Sequence, residues 1–200
     1  MKILFQGDSI TDANRNRANI HDLGQGYAKY AAPLIQKAMP NTEFEFIDLG
    51  ISGNRSDDIL ARSTTDIVSI LIGINDIWHR HGANRVETTD AQITTNYRAI
   101  LERIKKQTNA KIVILSPFLL DCAEKETWRE EVNAVLTIIR ALADEFADVY
   151  IPLDKIFDEA LKTQPEPKYY SGDGVHPNQN GAALIGKIYA DAVAPLIESK

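Results

Sequence analysis

An α/β fold with a parallel sheet covered on both faces is what this sequence predicts, and three observations carry the prediction. Short β-branched or aromatic runs alternate with longer stretches of helical period. The chain has 200 residues, 44% hydrophobic and 25% charged, which suits one globular domain with a sizeable core. No internal repeat, low-complexity tract or Pro/Ser-rich linker divides it, so residues 1–200 are expected to form a single domain.

The first strand is expected over residues 2–6, where Gly7-Asp8 ends the apolar run. Tyr27, Tyr30, Ala31, Leu34, Ile35 and Ala38 then fall at helical spacing and make one apolar face, and Pro40 stops that helix. Strands are expected next at 43–48 and at 67–72, the latter stopped by Gly73. Ile93, Tyr97, Ile100, Leu101 and Ile104 repeat the helical stripe ahead of a strand at 111–115. Val132, Val135, Leu136, Ile139, Leu142, Ala143 and Phe146 form another, ahead of a strand at 149–152. Leu184, Ile185, Ile188, Tyr189, Ala192 and Leu196 mark a last helix. The order reads βαβαβαβαβα, with irregular segments at 11–24, 73–88 and 163–174. Ligands of open α/β sheets bind outside the carboxyl ends of the strands, so those segments are where chemistry is sought.

Composition narrows the partners. Lys and Arg number 22 against 28 Asp and Glu, a formal charge of −6 with no dense basic cluster, which argues against nucleic-acid binding. A lone cysteine, Cys122, closes no intrachain disulfide and holds no structural zinc. No run approaches the roughly 18 apolar residues of a membrane span. The opening apolar stretch Ile3-Leu4-Phe5 is far shorter than a signal-peptide core, which makes a cytoplasmic location the expectation.

Four loops hold residues suited to acyl transfer. Ser9 follows the first strand in Gly7-Asp8-Ser9, a seat for a nucleophile at the sheet edge, although a serine there also serves to cap a helix or turn the chain. A serine hydroxyl needs a base, and Asp173 precedes His176 by three residues, so that one turn folds the carboxylate onto the imidazole. Asp76 precedes His79 at the same spacing, and spacing alone does not choose between the pairs. His79 and His81 form an H-x-H pair without a third ligand nearby in sequence, which favours exposed loop histidines over a metal site. Gly53, after the second strand, and Asn75, after the third, are placed to offer a backbone N–H and a side-chain NH₂ to an oxyanion.

The stretches GDSITD, GISGN, GIND and DGVHP resemble, in order, the four sequence blocks of the SGNH hydrolases, the GDSL esterase/lipase family. The resemblance runs from Phe5 to the last helix. It implies a three-layer α/β/α sandwich around a five-stranded parallel sheet, with Ser9 as nucleophile, His176 as base, Asp173 as orienting acid, and Ser9, Gly53 and Asn75 as the oxyanion hole. No cofactor or metal is implied. The role of Asp76 becomes support of the Asn75 loop, and His79 a pocket wall. Asp8 is grouped with these substrate-side residues. The longer strings FQGDSITD, GISGNRSDDILAR and SILIGINDIW, with a later SPF, are similar to those of bacterial acetylxylan esterases and related carbohydrate O-deacetylases. That narrower likeness implies an acetylated oligosaccharide as the small-molecule substrate, Trp78, Tyr169 and Tyr170 as sugar-stacking walls or packing residues, and a homo-oligomer. No long apolar loop suggests a cradle for a fatty chain. The connection over residues 60–66 is several residues shorter than this pattern, which bears on where Gly53 and Asn75 sit. Two other readings stand beside the acetylesterase. A thioesterase or lysophospholipase keeps the triad. A flavodoxin-like module binding a phosphorylated ligand leaves Asp173 and His176 without a role.

Overall fold

The computed structural model describes residues 1–57, 65–82 and 85–198. Five parallel strands, β1 (Lys2–Gly7), β2 (Glu45–Asp48), β3 (Ile67–Leu71), β4 (Lys111–Leu115) and β5 (Val149–Ile151), form one sheet in the order β2-β1-β3-β4-β5. In β1, β3 and β4 every residue beyond the first of β1 and of β4 is buried, because helices cover both faces. The edge strands β2 and β5 are shorter and partly exposed, as unpaired edges tend to be. The second strand starts at Glu45, two residues later than its apolar pattern suggests.

The helices are α1 (Ser9–Asp12), α2 (Tyr27–Ala38), α3 (Ile74–His81), α4 (Asp90–Gln107), α5 (Arg129–Phe146), α6 (Leu153–Thr163) and α7 (Gln179–Glu198), with 3₁₀ turns at Ala123–Trp128 and Pro167–Tyr169. Helices α2 and α7 pack against each other over β1, where Phe5 meets Tyr27 and Tyr189 at 5.6 and 5.3 Å between ring centres. Helices α4 and α5 pack against each other likewise. Helix α4 starts on a capping box in which Thr89 and Gln92 satisfy each other's backbone N–H.

Three differences from the sequence pattern have physical causes. The segment 73–88 is not irregular throughout, since α3 occupies its first half. Its two turns contain Asn75-Asp76, residues that favour turns when exposed, and burial of Ile74 and Ile77 holds them helical. Helix α6 is additional to the five expected, although Leu153, Ile156, Phe157, Ala160 and Leu161 keep helical spacing. In α2, Leu34 and Ala38 face solvent while Ala28 and Ala32 are buried, so the apolar face lies to the other side of Tyr27-Ala31-Ile35. The helix expected between the second and third strands, and most of the short connection 60–66, fall on residues 58–64, outside those described.

At Gly186 α7 lies close against α2. A Cβ there would lie 2.6 Å from the Tyr30 Cβ and 2.8 Å from the Tyr27 carbonyl oxygen. Gly186→Ala is therefore expected to destabilise the protein by about 1–3 kcal/mol through overpacking of α7 on α2. Thermal melting checks this, and an unchanged melting temperature would mean that the interface yields.

Candidate active site

The strand order reverses between β2-β1 and β3-β4-β5, so connections leave β1 and β3 in opposite directions and open a crevice at their carboxyl ends. Ser9 follows β1 and Asn75 follows β3, which brings both to that crevice. Asp8 caps α1, its Oδ1 accepting from the Ile10 N–H at 2.9 Å. Because Asp8 caps the turn, the Ser9 hydroxyl is not spent on it. The carboxyl of Asp8 is fully buried, and burial, opposed by the Ile10 N–H, pushes its pKa up to about 7. It therefore meets no substrate, contrary to its grouping with the substrate-side residues.

The segment 171–177 folds back so that the His176 Nε2 lies 2.9 Å from the Ser9 Oγ, across 167 positions of sequence. The His176 Nδ1 lies 2.8 Å from the Asp173 Oδ2. The other oxygen, Oδ1, accepts from the His176 N–H at 2.8 Å, the Val175 N–H at 3.0 Å and the Ser171 hydroxyl at 3.2 Å. Burial opposes ionisation of Asp173, but these hydrogen bonds outweigh it and hold the carboxyl well below the usual range. The bond to Asp173 raises the His176 pKa above the ordinary 6.5, against the opposing effect of burial.

The loop after β2 is tied to α3 and to α1. The Asn75 Nδ2 donates to the Asn54 carbonyl at 3.0 Å. Gly53, one residue earlier, has no described atom within 4 Å of the place a Cβ would take. Asp76 is fully buried and accepts from the Ser56 N–H at 3.0 Å and the Ser56 hydroxyl at 2.9 Å. Its carboxylate thus lashes the loop after β2 to α3, and the rival pairing with His79 is not made. A third tie runs from the Ser52 N–H to the Asp12 Oδ2 at 2.9 Å, joining the same loop to α1. The loop that carries Gly53 is held from both sides, whatever the length of the connection that follows it.

The remaining aromatic and histidine candidates separate. Trp78 is half-buried, its ring centre 5.6 Å from that of His176. His79 is half-buried on the same helix. Tyr170 is buried against Phe157 and Tyr169, at 5.6 and 5.0 Å, so it packs the core and walls no sugar site. Tyr169 is exposed. His81 stacks on Trp128 and places its Nε2 2.8 Å from a Glu131 oxygen, which occupies the second member of the H-x-H pair.

A cleft of about 340 Å³ opens beside Ser9 and His176, with Asn14, Gln25, Ser52 and Pro177 among its walls. Sequence reasoning missed Asp12, Ser56 and Ser171 as the residues that hold these loops. It also missed Arg15, which donates to the Gly50 carbonyl at 3.0 and 3.1 Å and lies 3.3 Å from buried Asp48. Asp12 and Ser56 stand inside the quoted strings, but only the fold shows what they bind.

The arrangement supplies a hydroxyl, a base with the correct nitrogen free, and a carboxylate to orient it, all the parts of nucleophilic acyl transfer. A general base must be neutral to take a proton. With its pKa raised, His176 stays protonated to higher pH, so activity is lost as pH falls through a value above 6.5. The acidic limb of kcat/KM against pH checks this, and a limb well below 6.5 would mean that the Asp173 bond does not raise the His176 pKa.

The model of the GDSL-like Lipase/Acylhydrolase family matches residues 5–184. An acetylxylan esterase of Geobacillus stearothermophilus is 29% identical over 94% of this chain and 91% of its own length. The crystal structure of Axe2, an acetylxylan esterase of that organism, aligns at a TM-score of 0.86 and 28% identity, covering 96% of this chain and 94% of that one. A Parabacteroides merdae structure aligns at 0.85 with 32% identity, covering 95% of this chain and 94% of that one. The fold, the Ser9–His176–Asp173 contacts and the matched sequence agree: the chain belongs to the GDSL-like lipase/acylhydrolase family and is a carboxylic ester hydrolase.

Proposed function

We propose that the protein is a serine esterase that removes short acyl groups, acetyl above all, from carbohydrate esters through an acyl-enzyme on Ser9. The Ser9–His176–Asp173 relay, at 2.9 and 2.8 Å, is the observation that carries the reading. His176 takes the Ser9 proton as Oγ attacks the ester carbonyl, and Asp173 stabilises the imidazolium. The tetrahedral oxyanion is met by the N–H groups of Ser9 and Gly53 and by the Asn75 amide, one of whose protons is anchored on Asn54. His176 then protonates the departing alkoxide. Water enters, gives its proton to His176 and attacks the acyl-enzyme, and breakdown returns that proton to Ser9 as the acid leaves.

Two observations favour a small acyl group on a polar alcohol. Asn14, Gln25 and Ser52 give the cleft polar walls able to hydrogen-bond hydroxyls. Solved relatives include an enzyme described as an acetyl-xylooligosaccharide esterase, 27% identical over 96% of this chain. The test is acetate release from acetylated xylo-oligosaccharides, run beside p-nitrophenyl acetate and p-nitrophenyl octanoate with Ser9→Ala as control. Release by the wild type alone is expected. Preference for the octanoate would replace this reading with a lysophospholipase or thioesterase. Hydrolysis of the nitrophenyl acetate without release from the sugar would move the search to another acetylated metabolite.

A further inference from the structure

Lys125 stands in the 3₁₀ turn between β4 and α5 and is 9% exposed. An ammonium is costly to bury, and an apolar residue of similar size would fill the space without that cost. The charge is directed at one loop. Its Nζ donates to the Asp173 main-chain carbonyl at 2.7 Å and lies 3.9 Å from the Asp173 Oδ2. It also lies 4.9 Å from the ring centre of Trp78 and 5.7 Å from that of Trp128, whose indoles meet edge to face at 5.2 Å. The Trp78 ring neighbours His176 as well.

The connection leading into this turn grips the next residue of the loop. The Leu120 N–H donates to the Gly174 carbonyl at 2.9 Å. Gly174 has a φ of +82°, and a Cβ there would fall 2.8 Å from the Leu120 carbonyl oxygen and 2.9 Å from the Cys122 Cβ, so only glycine lets the two segments meet. Residues 120–128 therefore hold Asp173 and Gly174 from outside, through contacts that use no triad side-chain hydrogen bond.

We propose that Lys125 is a positioning residue for the Asp173–His176 pair, its ammonium resting against both indoles and fixing the Asp173 main chain where its carboxylate meets the imidazole. The role rests on the triad reading above. It has an electrostatic side too, because among the described residues the charged groups facing His176 are Asp173, Asp8 and Lys125, and of these only Lys125 disfavours the imidazolium.

The test pairs Lys125→Met, which keeps an unbranched apolar stem against the indoles, with Lys125→Gln, which keeps a donor but no charge. Both are expected to move the acidic limb of kcat/KM upward by about half a pH unit, since a positive charge near the imidazolium is gone. Lys125→Met is also expected to lower kcat by roughly 3–10-fold with KM within about twofold, as the loop loses its hydrogen bond. Lys125→Arg should restore the wild-type limb. A lowered melting temperature with kcat and the acidic limb unchanged in either folded neutral variant would make Lys125 a packing residue and overturn the proposal. Labelling of the wild type by a fluorophosphonate probe, compared with Ser9→Ala, separates this from failure of the triad. Ser9-dependent labelling with unaltered Lys125 variants rejects the positioning role alone, whereas no such labelling rejects the triad and this role with it.

Discussion

Ser9→Ala is expected to lower kcat by roughly 10³-fold or more, while the melting temperature stays close to that of the wild type. The substitution removes the only atom of the side chain that meets the ester carbon, and it removes no cap, because Asp8 supplies the bond to the Ile10 N–H. The residual rate would come from binding and from oxyanion donors that remain in place. Steady-state kinetics on p-nitrophenyl acetate and a thermal melt read the two halves of this expectation. Retention of even a tenth of wild-type turnover would remove Ser9 from the chemistry.

His176→Ala is expected to cost about as much as Ser9→Ala, and the double variant no more than either alone, since nucleophile and base act as a unit. His79→Ala is expected to stay within about threefold of the wild type. The contrast follows from the carboxylates. Asp173 is bonded to the His176 ring, whereas Asp76 is occupied by the Ser56 N–H and hydroxyl. A severe loss in His79→Ala beside a mild one in His176→Ala would restore the rival pair.

Much of the architecture was legible beforehand for a local reason. A strand buried on both faces must be a short apolar run that ends at a breaker, so residues 111–115 are the same in pattern and structure, and the four other strands differ only at their ends. The resemblance of four short blocks supplied the family and the roles offered for Ser9, Asp173 and His176. Helix α3 was hidden because Asn75 and Asp76 favour turns until tertiary contacts bury them. Tyr170 was left between cleft wall and core because an aromatic beside the histidine loop has the same sequence signature in either place, and the fold puts it in the core. Lys125 carried no signal at all, being one lysine among acidic neighbours in a surface-like stretch.

The sequence by itself determined the alternation of strands and helices and the residue types at each strand end, because apolar period and turn chemistry act over a few residues. Tertiary structure alone decided that the His176 ring reaches the Ser9 hydroxyl, how Asp12 and Asp76 lash the Gly53 loop in place, and that a buried ammonium backs the histidine loop. Those outcomes depend on sheet order and crossovers that join residues up to 167 positions apart, and no local preference of the chain encodes such distances.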